Sequence, residues 1–181
     1  MPDYRRLFIP GSSYFFTLVT HERRPWLCTE SGRGALRGAI AKVRDARPFA
    51  VEAWVLLPDH LHCIWTLPPG DADYTTRWRL IKRAVSLRLA GEPEVTLSDS
   101  RRKRGERGLW QRRFWEHAIR DPRDFEAHCD YVHYNPVKHG LCAVPRDWPW
   151  SSVHRFVARG LLPVHWGCEG VPVDGDLAVG E

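Results

Sequence analysis

The segment at positions 51–67, VEAWVLLPDHLHCIWTL, decides the fold that we expect for this chain. Two apolar runs, at 53–57 and 63–67, flank the turn sequence PDHLH, and this pattern predicts two strands joined by a tight turn. Because successive side chains of a strand point to opposite faces, His60 and His62 share one face, while Leu61 points to the other, toward a core. Two imidazoles held in this way form half of a metal site. The alternative is a pair of polar residues at a turn that point to solvent.

The composition of the chain fits a globular domain with a nucleic-acid partner. Its 181 residues, 43% of them hydrophobic and 27% charged, are enough for one hydrophobic core. A net charge of +5 suits a polyanionic partner, and nine tryptophans offer rings on which single-stranded bases stack. The five cysteines never occur as CxxC, which argues against a disulfide framework and against a zinc ribbon.

The sequence predicts no membrane segment. No apolar run approaches the ~20 residues that span a bilayer. The start of the chain, MPDYRRLFIPG, lacks the apolar stretch of a secretory signal. We therefore expect a cytoplasmic protein without a membrane partner.

Hydrophobic periodicity and turn residues define the remaining elements. They predict strands at 14–20, 53–57, 63–67 and 109–120 and helices at 31–45, 74–90, 124–135 and 151–158. This order favours an α+β fold, a ferredoxin-like antiparallel sheet with helices packed on one of its faces. We expect residues 1–160 to form one domain, 92–108 to be a mobile basic loop inserted in it, and 161–181 to be a loosely packed tail.

The helix predicted at 124–135 carries a tyrosine and an asparagine on one face. Tyr131 and Asn135 are four residues apart and share a face that differs from the apolar stripe of this helix. Pro136 and Gly140 are expected to end it. Taken alone, the pattern also fits an ordinary tyrosine of an amphipathic helix and an asparagine that caps the helix before Pro136.

Six sequence blocks occur in order along the chain: YRR at 4–6, WVLLPDHLH at 54–62, WRLIK at 78–82, FWEH at 114–117, YVHYNPVKHG at 131–140 and WPWSS at 148–152. With this ordered set, which spans about residues 4–160, the chain resembles the REP-associated tyrosine transposases. These are relatives of the HUH single-tyrosine transposases, which cut and join single-stranded DNA. The basic stretch at 92–108 departs from the pattern of the family as an insertion relative to shorter relatives.

The resemblance implies a fold, an activity and a site. It implies a ferredoxin-like nuclease domain in which Tyr131 is the nucleophile and His60, His62 and Asn135 hold a divalent cation, Mg²⁺ or Mn²⁺. The implied substrate is single-stranded DNA with the hairpin of REP palindromes, cleaved beside a short tetranucleotide. The resemblance also implies a monomer, whereas relatives outside this subfamily form dimers that exchange their tyrosine helices.

The chemistry of these residues agrees with that role. A tyrosine hydroxyl, with a pKa of about 10, is a poor nucleophile unless a metal or a base assists it. A cation bound by His60, His62 and Asn135 would polarise the scissile phosphate and orient it toward Tyr131. Imidazole ligands favour Mn²⁺, whereas cellular supply favours Mg²⁺. The expected products are a 5′-phosphotyrosine and a free 3′-OH, and reversal by a second strand joins DNA without ATP.

Basic residues near aromatic ones are the candidates for DNA contacts. Arg77 and Arg83 are expected to extend the basic flank of the helix at 74–90. For the arginines of the loop at 92–108, the alternative is a solvated charge cluster. The candidates for DNA binding are Arg5, Arg6, Arg79, Lys82, Arg101, Arg102, Arg104, Arg112 and Arg113.

Other polar residues carry less specific expectations. Glu116 and His117 could supply a further ligand or a general base, but we favour packing beside Trp115. We expect three further histidines to be solvated or hydrogen-bonded rather than catalytic: His128, His133 and His139.

Three function classes remain open from the sequence. The first is a metal-dependent single-stranded DNA endonuclease and strand transferase. The second is a sequence-specific hairpin DNA-binding protein whose cleavage activity is secondary or lost. The third is a metallonuclease that acts on RNA or uses water instead of Tyr131 as the nucleophile.

Overall fold

A four-stranded antiparallel sheet is the centre of the fold in the computed structural model, which describes residues 6–91, 99–103 and 107–170. Its strands are β1 (Ser13–Val19), β2 (Ala50–Leu56), β3 (His60–Thr66) and β4 (Trp115–Ala118). They lie in the order β2-β3-β1-β4, and every neighbouring pair is antiparallel. This order, with β3 and β1 in the middle, is ferredoxin-like, so the predicted α+β class is confirmed.

Five α-helices accompany the sheet within the described ranges: α1 (Glu30–Ala46), α2 (Tyr74–Arg88), α3 (Asp99–Lys103), α4 (Pro122–Lys138) and α5 (Val153–Ala158). The three long helices begin at a side chain that accepts a hydrogen bond from the first turn: Thr29 for α1, Asp73 for α2 and Asp121 for α4. Pro122 occupies the first position of α4, where its missing N–H leaves no bond unmade. Side-chain chemistry therefore sets where these helices start.

The helices cover both faces of the sheet, and the prediction of one covered face is wrong. Helices α1 and α2 pack on the face to which Leu61 and Trp65 point, and Trp65 stacks on Trp78 of α2 with 3.9 Å between ring centroids. Helix α4 packs on the opposite face, against Phe15 and Ile64. Both faces of the central strands are apolar, so each face needs its own cover to exclude water.

The last long helix does not end at Pro136, as predicted, but continues to Lys138. Pro136 cannot donate a helical hydrogen bond, but it is buried against the rest of the fold and lies only two residues before the helix end. The backbone N–H of His139 still donates to the Asn135 carbonyl at 3.0 Å, and Gly140 then leaves the helix with a φ of 66°. Asn135 is therefore an interior residue of α4 and not its cap.

Arg77 does not belong to the predicted basic flank of α2. Its side chain is 1% exposed and donates to the Asp71 carboxylate at 2.7 and 3.2 Å. It also donates to the backbone carbonyls of Arg47, Pro48 and Asp73. A guanidinium can be buried only when its donors are satisfied in this way. Arg77 thus ties the loop before α2 to the end of α1.

Four further expectations concern the basic loop, the tail, the cysteines and membrane segments. Helix α3 occupies 99–103, where the sequence predicts a loop. Residues 161–170 of the predicted tail form turns, with Trp166 beside His133 at 6.0 Å between ring centroids, and 171–181 lie outside the described residues. All five cysteines are free thiols, which agrees with the absence of a disulfide framework. In the described part of the chain, every helix is too short or too polar to cross a bilayer.

Candidate active site and basic groove

The two histidines of β3 lie on one face of the sheet, as strand alternation predicts. Their ring centroids are 5.0 Å apart and the ring planes meet at 81°. Leu61, between them, packs in the opposite apolar cluster. His60 is 2% exposed and His62 is 0% exposed, so the alternative of two solvent-pointing residues at a turn is wrong.

Each imidazole is anchored through its Nδ1 atom. Thr17 of β1 lies opposite His62, and its Oγ1 is 2.9 Å from His62 Nδ1. The Asp59 carboxylate is 2.7 Å from His60 Nδ1. Burial alone would raise the pKa of Asp59, but hydrogen bonds from His60 and Arg23 outweigh it, so the pKa is lowered and the group is a carboxylate. An Nδ1–H that donates to Asp59 leaves the lone pair of His60 on Nε2, the tautomer that ligates metals.

Tyr131 of α4 approaches this histidine pair. Its ring centroid is 5.2 Å from that of His62 and 6.0 Å from that of Phe15, and both contacts are nearly perpendicular. The side chain of Tyr131 is 2% exposed. Asn135 follows one helical turn later and is fully buried. The structure therefore brings Tyr131 to the histidines within one chain, with Asn135 on the next turn of the same helix.

The side chains at this site suit a divalent cation. Two imidazoles with anchored Nδ1 atoms can present Nε2, and Asn135, buried one helical turn after Tyr131, carries a hard amide oxygen that could complete the donor set. A mixed nitrogen and oxygen donor set of this kind fits Mn²⁺ and, through the oxygen, Mg²⁺. Asp59 and Thr17 are the outer partners that such a site needs to hold its ligands in place.

Two further residues lie near the site: Lys138, to which the sequence interpretation gave no role, and His139, which it expected to be solvated or hydrogen-bonded. Lys138 Nζ donates to the Tyr131 hydroxyl oxygen at 3.2 Å and lies 4.8 Å from the centroid of the Tyr131 ring. The ring of His139 lies 4.9 Å from that of His60. A signal existed in the spacing, because Lys138 is seven residues, or about two helical turns, after Tyr131. It was lost because Pro136 was expected to end the helix.

A second group of potential metal ligands lies between β4 and α4. His117, Asp124 and His128 bring ligand atoms within 4.8 Å of one another and could hold a divalent cation. The Asp124 carboxylate, however, is already engaged: it is 2.8 Å from His117 Nε2, 3.2 Å from His128 Nδ1 and 3.2 Å from the Arg120 guanidinium. The two imidazole rings stack at 4.7 Å with 15° between their planes.

This arrangement favours a polar network centred on the Asp124 carboxylate over a metal centre. The lone pairs of an imidazole lie in the ring plane, so two stacked rings direct them side by side instead of at one point. The Arg120 guanidinium already supplies the positive charge that a cation would bring. Burial alone would raise the pKa of Asp124, but the hydrogen bonds from Arg120 and His117 outweigh it and hold that pKa far below its usual range.

The remaining candidate ligands are held away from the histidine pair. Glu116 and His117 point to opposite faces of β4, and Glu116 pairs with Arg6 at 3.4 Å. Glu116 is held by Arg6 and His117 by Asp124, and not only by packing beside Trp115. His133 is buried with its Nε2 atom 2.8 Å from Ser152 Oγ, and this burial lowers its pKa to about 3. The expectation that His128 and His133 are hydrogen-bonded is confirmed.

A basic groove of about 680 Å³ lies along α2. Trp110 and Phe114 contribute aromatic rings to it, and the Arg6 guanidinium lies 4.4 Å from the centroid of the Phe114 ring. Of the predicted DNA-binding residues, the groove unites Arg6, Arg79, Lys82 and Arg112, together with Arg83 and Arg107. Arg113 is exposed next to it. Arg5, Arg104 and the side chains of Arg101 and Arg102 lie outside the described residues.

Comparison with known proteins gives the family. No protein-family model matches the chain. It is 46% identical over 166 residues to a REP-associated tyrosine transposase of Escherichia coli, covering 92% of this chain and 91% of the relative. It is 41% identical over 178 residues to a putative REP-associated tyrosine transposase of Haemophilus influenzae, covering 98% and 100%.

A solved structure agrees with these relatives. It is described as a REP-associated tyrosine transposase bound to a REP hairpin, and it matches with a TM-score of 0.81 and 45% identity. The match covers 100% of this chain and 98% of the other. The likeness therefore includes the whole fold. The chain belongs to the REP-associated tyrosine transposases, a class of enzymes that act on DNA.

Proposed function

We propose that this protein cuts and rejoins single-stranded DNA next to a REP-type hairpin, with Tyr131 as the nucleophile and a divalent cation held by His60, His62 and Asn135. The contact between the Tyr131 ring and His62, 5.2 Å between centroids, is the observation that carries the proposal. In this contact the phenol of Tyr131 lies beside the two imidazoles of β3, whose opposite face packs in an apolar cluster. Bound Mg²⁺ or Mn²⁺ would supply a Lewis acid for the scissile phosphate.

The side chains of the chain provide the other parts of the reaction. The Tyr131 hydroxyl releases its proton to solvent as its oxygen attacks the phosphorus, and the bond between the phosphorus and the 3′ oxygen breaks. The leaving 3′ oxygen takes up a proton from solvent, so the products are a free 3′-OH and a 5′-phosphotyrosine. Asp59 and Thr17 hold the two imidazoles in one orientation through their Nδ1 atoms.

The basic groove is the proposed binding surface for the DNA. Arg6, Arg79, Lys82 and Arg112 can neutralise phosphates, and Trp110 and Phe114 can stack on bases. The relative of known structure is described as bound to a REP hairpin, which supports the same partner for this chain. We extend the proposed surface to Arg113 and to Arg5, Arg101, Arg102 and Arg104.

We also propose that one chain is sufficient for activity. Tyr131 and the paired histidines meet within the same chain, so no tyrosine helix from a second copy is needed to complete the site. The elements that carry the site and the groove all belong to residues 1–160, which we propose as the catalytic domain. Light scattering of the protein, alone and with DNA, should give the mass of one chain.

Trapping of the covalent intermediate tests the proposal. A single-stranded oligonucleotide with a REP hairpin and its flanks, incubated with Mn²⁺, should give a protein–DNA adduct that survives denaturing electrophoresis. Tyr131→Phe should abolish the adduct and leave hairpin binding unchanged, because only the attacking oxygen is removed. Tyr134→Phe is the matched control, since Tyr134 lies on the same helix and should be dispensable.

The other outcomes separate the competing functions. Hairpin binding without an adduct in either Mg²⁺ or Mn²⁺ would favour a hairpin-binding protein that has lost cleavage. Cleavage that persists in Tyr131→Phe would favour a metallonuclease that uses water. Equal cleavage of intact duplex DNA would contradict the proposal as a whole.

A further inference from the structure

Helix α4 carries a third polar side chain on the face that Tyr131 and Asn135 share. Lys138 is the last residue of the helix and lies seven positions after Tyr131, so the two side chains stand about two turns apart on the same face. Lys138 Nζ donates to the phenol oxygen at 3.2 Å, and it is 4.8 Å from the ring centroid. Both contacts hold a cation against one phenol.

The two partners differ sharply in exposure. Tyr131 is 2% exposed, whereas Lys138 is an exposed residue. The ammonium group therefore lies between the buried phenol oxygen and the protein surface. A phosphate that approaches this oxygen from solvent arrives next to Lys138.

The position of Lys138 depends on the unusual end of α4. The helix continues past Pro136 and ends only at Lys138, after which Gly140 turns the chain away. Had the helix ended at Pro136, the side chain of Lys138 would not follow the face that Tyr131 and Asn135 share. The extra turn therefore has a chemical consequence at the site.

We propose that Lys138 is a positioning residue for strand cleavage, an inference that rests on the proposed function of Tyr131. Its ammonium group holds the phenol oxygen in the orientation that faces the incoming phosphate. As the phenol proton is released to solvent, the oxygen–phosphorus bond forms, the bond between the phosphorus and the 3′ oxygen breaks, and that 3′ oxygen takes up a proton. The phosphodiester is then attached to the Tyr131 oxygen. Its negative charge then lies within reach of Lys138, which stabilises the covalent intermediate.

The proposal predicts a loss of rate without a loss of binding. In single-turnover reactions with saturating hairpin DNA and Mn²⁺, Lys138→Met should slow adduct formation by about 100-fold. Its Kd for the hairpin should stay within about twofold of the wild type, since the basic groove along α2 provides the phosphate contacts. Lys138→Arg should recover most of the lost rate, because it restores a donor with positive charge.

Matched variants separate this inference from the proposed function. Lys42→Met removes an exposed lysine of α1 and should react like the wild type. Lys138→Gln provides a second neutral variant should Lys138→Met fail to fold, and it should also be slow. An adduct rate in the neutral variants equal to that of the wild type, or a rate that falls only in step with hairpin affinity, would overturn the inference while the role of Tyr131 stands. An adduct that forms equally in Tyr131→Phe would contradict both the role of Lys138 and the proposed role of Tyr131.

Discussion

At the scale of single residues, the candidate site depends on side chains that orient other side chains. Thr17 holds the Nδ1 atom of His62 and Asp59 holds that of His60, which is the orientation that a cation bound at the two Nε2 atoms would require. The sequence motif predicts that the two imidazoles share a face, because alternation is a local property of strands. It cannot predict Thr17, since that contact depends on which residue of β1 lies opposite β3.

Removal of the Thr17 hydroxyl should weaken metal binding. We expect Thr17→Val to lower the affinity for Mn²⁺ by about 10-fold, as the orientation of His62 is lost while the packing volume is kept. Isothermal titration with Mn²⁺ measures this effect. Thr66→Val is the matched control, because Thr66 makes a similar hydroxyl contact, with Ser13, at the other end of the same strand pair. Equal affinities of the two variants would show that Thr17 does not support the site.

At the scale of elements, α4 is held at both ends by charged groups. Its first turn carries Asp124, on which His117, His128 and Arg120 converge, and its last residue is Lys138. Sequence periodicity predicts the existence of this helix and the shared face of Tyr131 and Asn135. It places the end of the helix too early, because burial of Pro136 against the fold outweighs its local helix-breaking tendency.

Loss of the Asp124 carboxylate should destabilise the fold. At pH 7 we expect Asp124→Asn to reduce the free energy of unfolding by about 2 kcal/mol, because His117, His128 and the backbone N–H of Arg120 lose an ionised hydrogen-bond acceptor that is itself buried. Folding lowers the pKa of Asp124, so its contribution is complete above the unfolded value of about 3.9 and is lost as the pH falls below that value. The difference between wild type and variant should therefore shrink between pH 4 and pH 2. Urea unfolding over a pH series measures it.

Asp130 of the same helix provides the control for this pH dependence. Its pKa is raised, by burial first and by Glu126 second, so its charged form opposes folding. Asp130→Asn should therefore cost no stability at pH 7, the opposite of Asp124→Asn. A difference between wild type and Asp124→Asn that stays constant down to pH 2 would contradict the assigned role of Asp124.

At the scale of the whole molecule, the basic residues divide into a buried set and a set that lines the basic groove. Arg77 and Arg79 are two positions apart on α2, yet Arg77 is buried on Asp71 and Arg79 lines the basic groove. Helical periodicity separates the faces of α2. It does not show that the Asp71 carboxylate and three backbone carbonyls lie beside the face that carries Arg77. Whether an arginine of α2 is buried or lines the groove depends on its tertiary contacts, and these cannot be read from the local sequence pattern.

The groove should determine how hairpin binding responds to salt. For Arg79→Met we expect the slope of log K against log salt concentration to fall in magnitude by about 0.7, the value for one phosphate contact to a single strand. Arg37→Met is the control, because Arg37 is exposed on α1, away from this groove, and carries the same charge. Fluorescence anisotropy of a labelled hairpin between low and high salt measures both slopes. Identical slopes for the two variants would exclude Arg79 from the DNA surface.

The two surfaces lie on opposite faces of the sheet but near the same end of it. Trp110 lines the groove and bridges to Thr20, directly after Val19, whose partner on β3 is His60. A polynucleotide that occupies the groove and also reaches Tyr131 has to curve sharply around this end of the sheet. Duplex DNA, which stays straight over ~150 base pairs, resists such curvature, whereas an unpaired strand accepts it readily. We therefore expect the proposed site to discriminate by strand stiffness, so that a pliable unpaired strand reaches the phenol more readily than duplex DNA does.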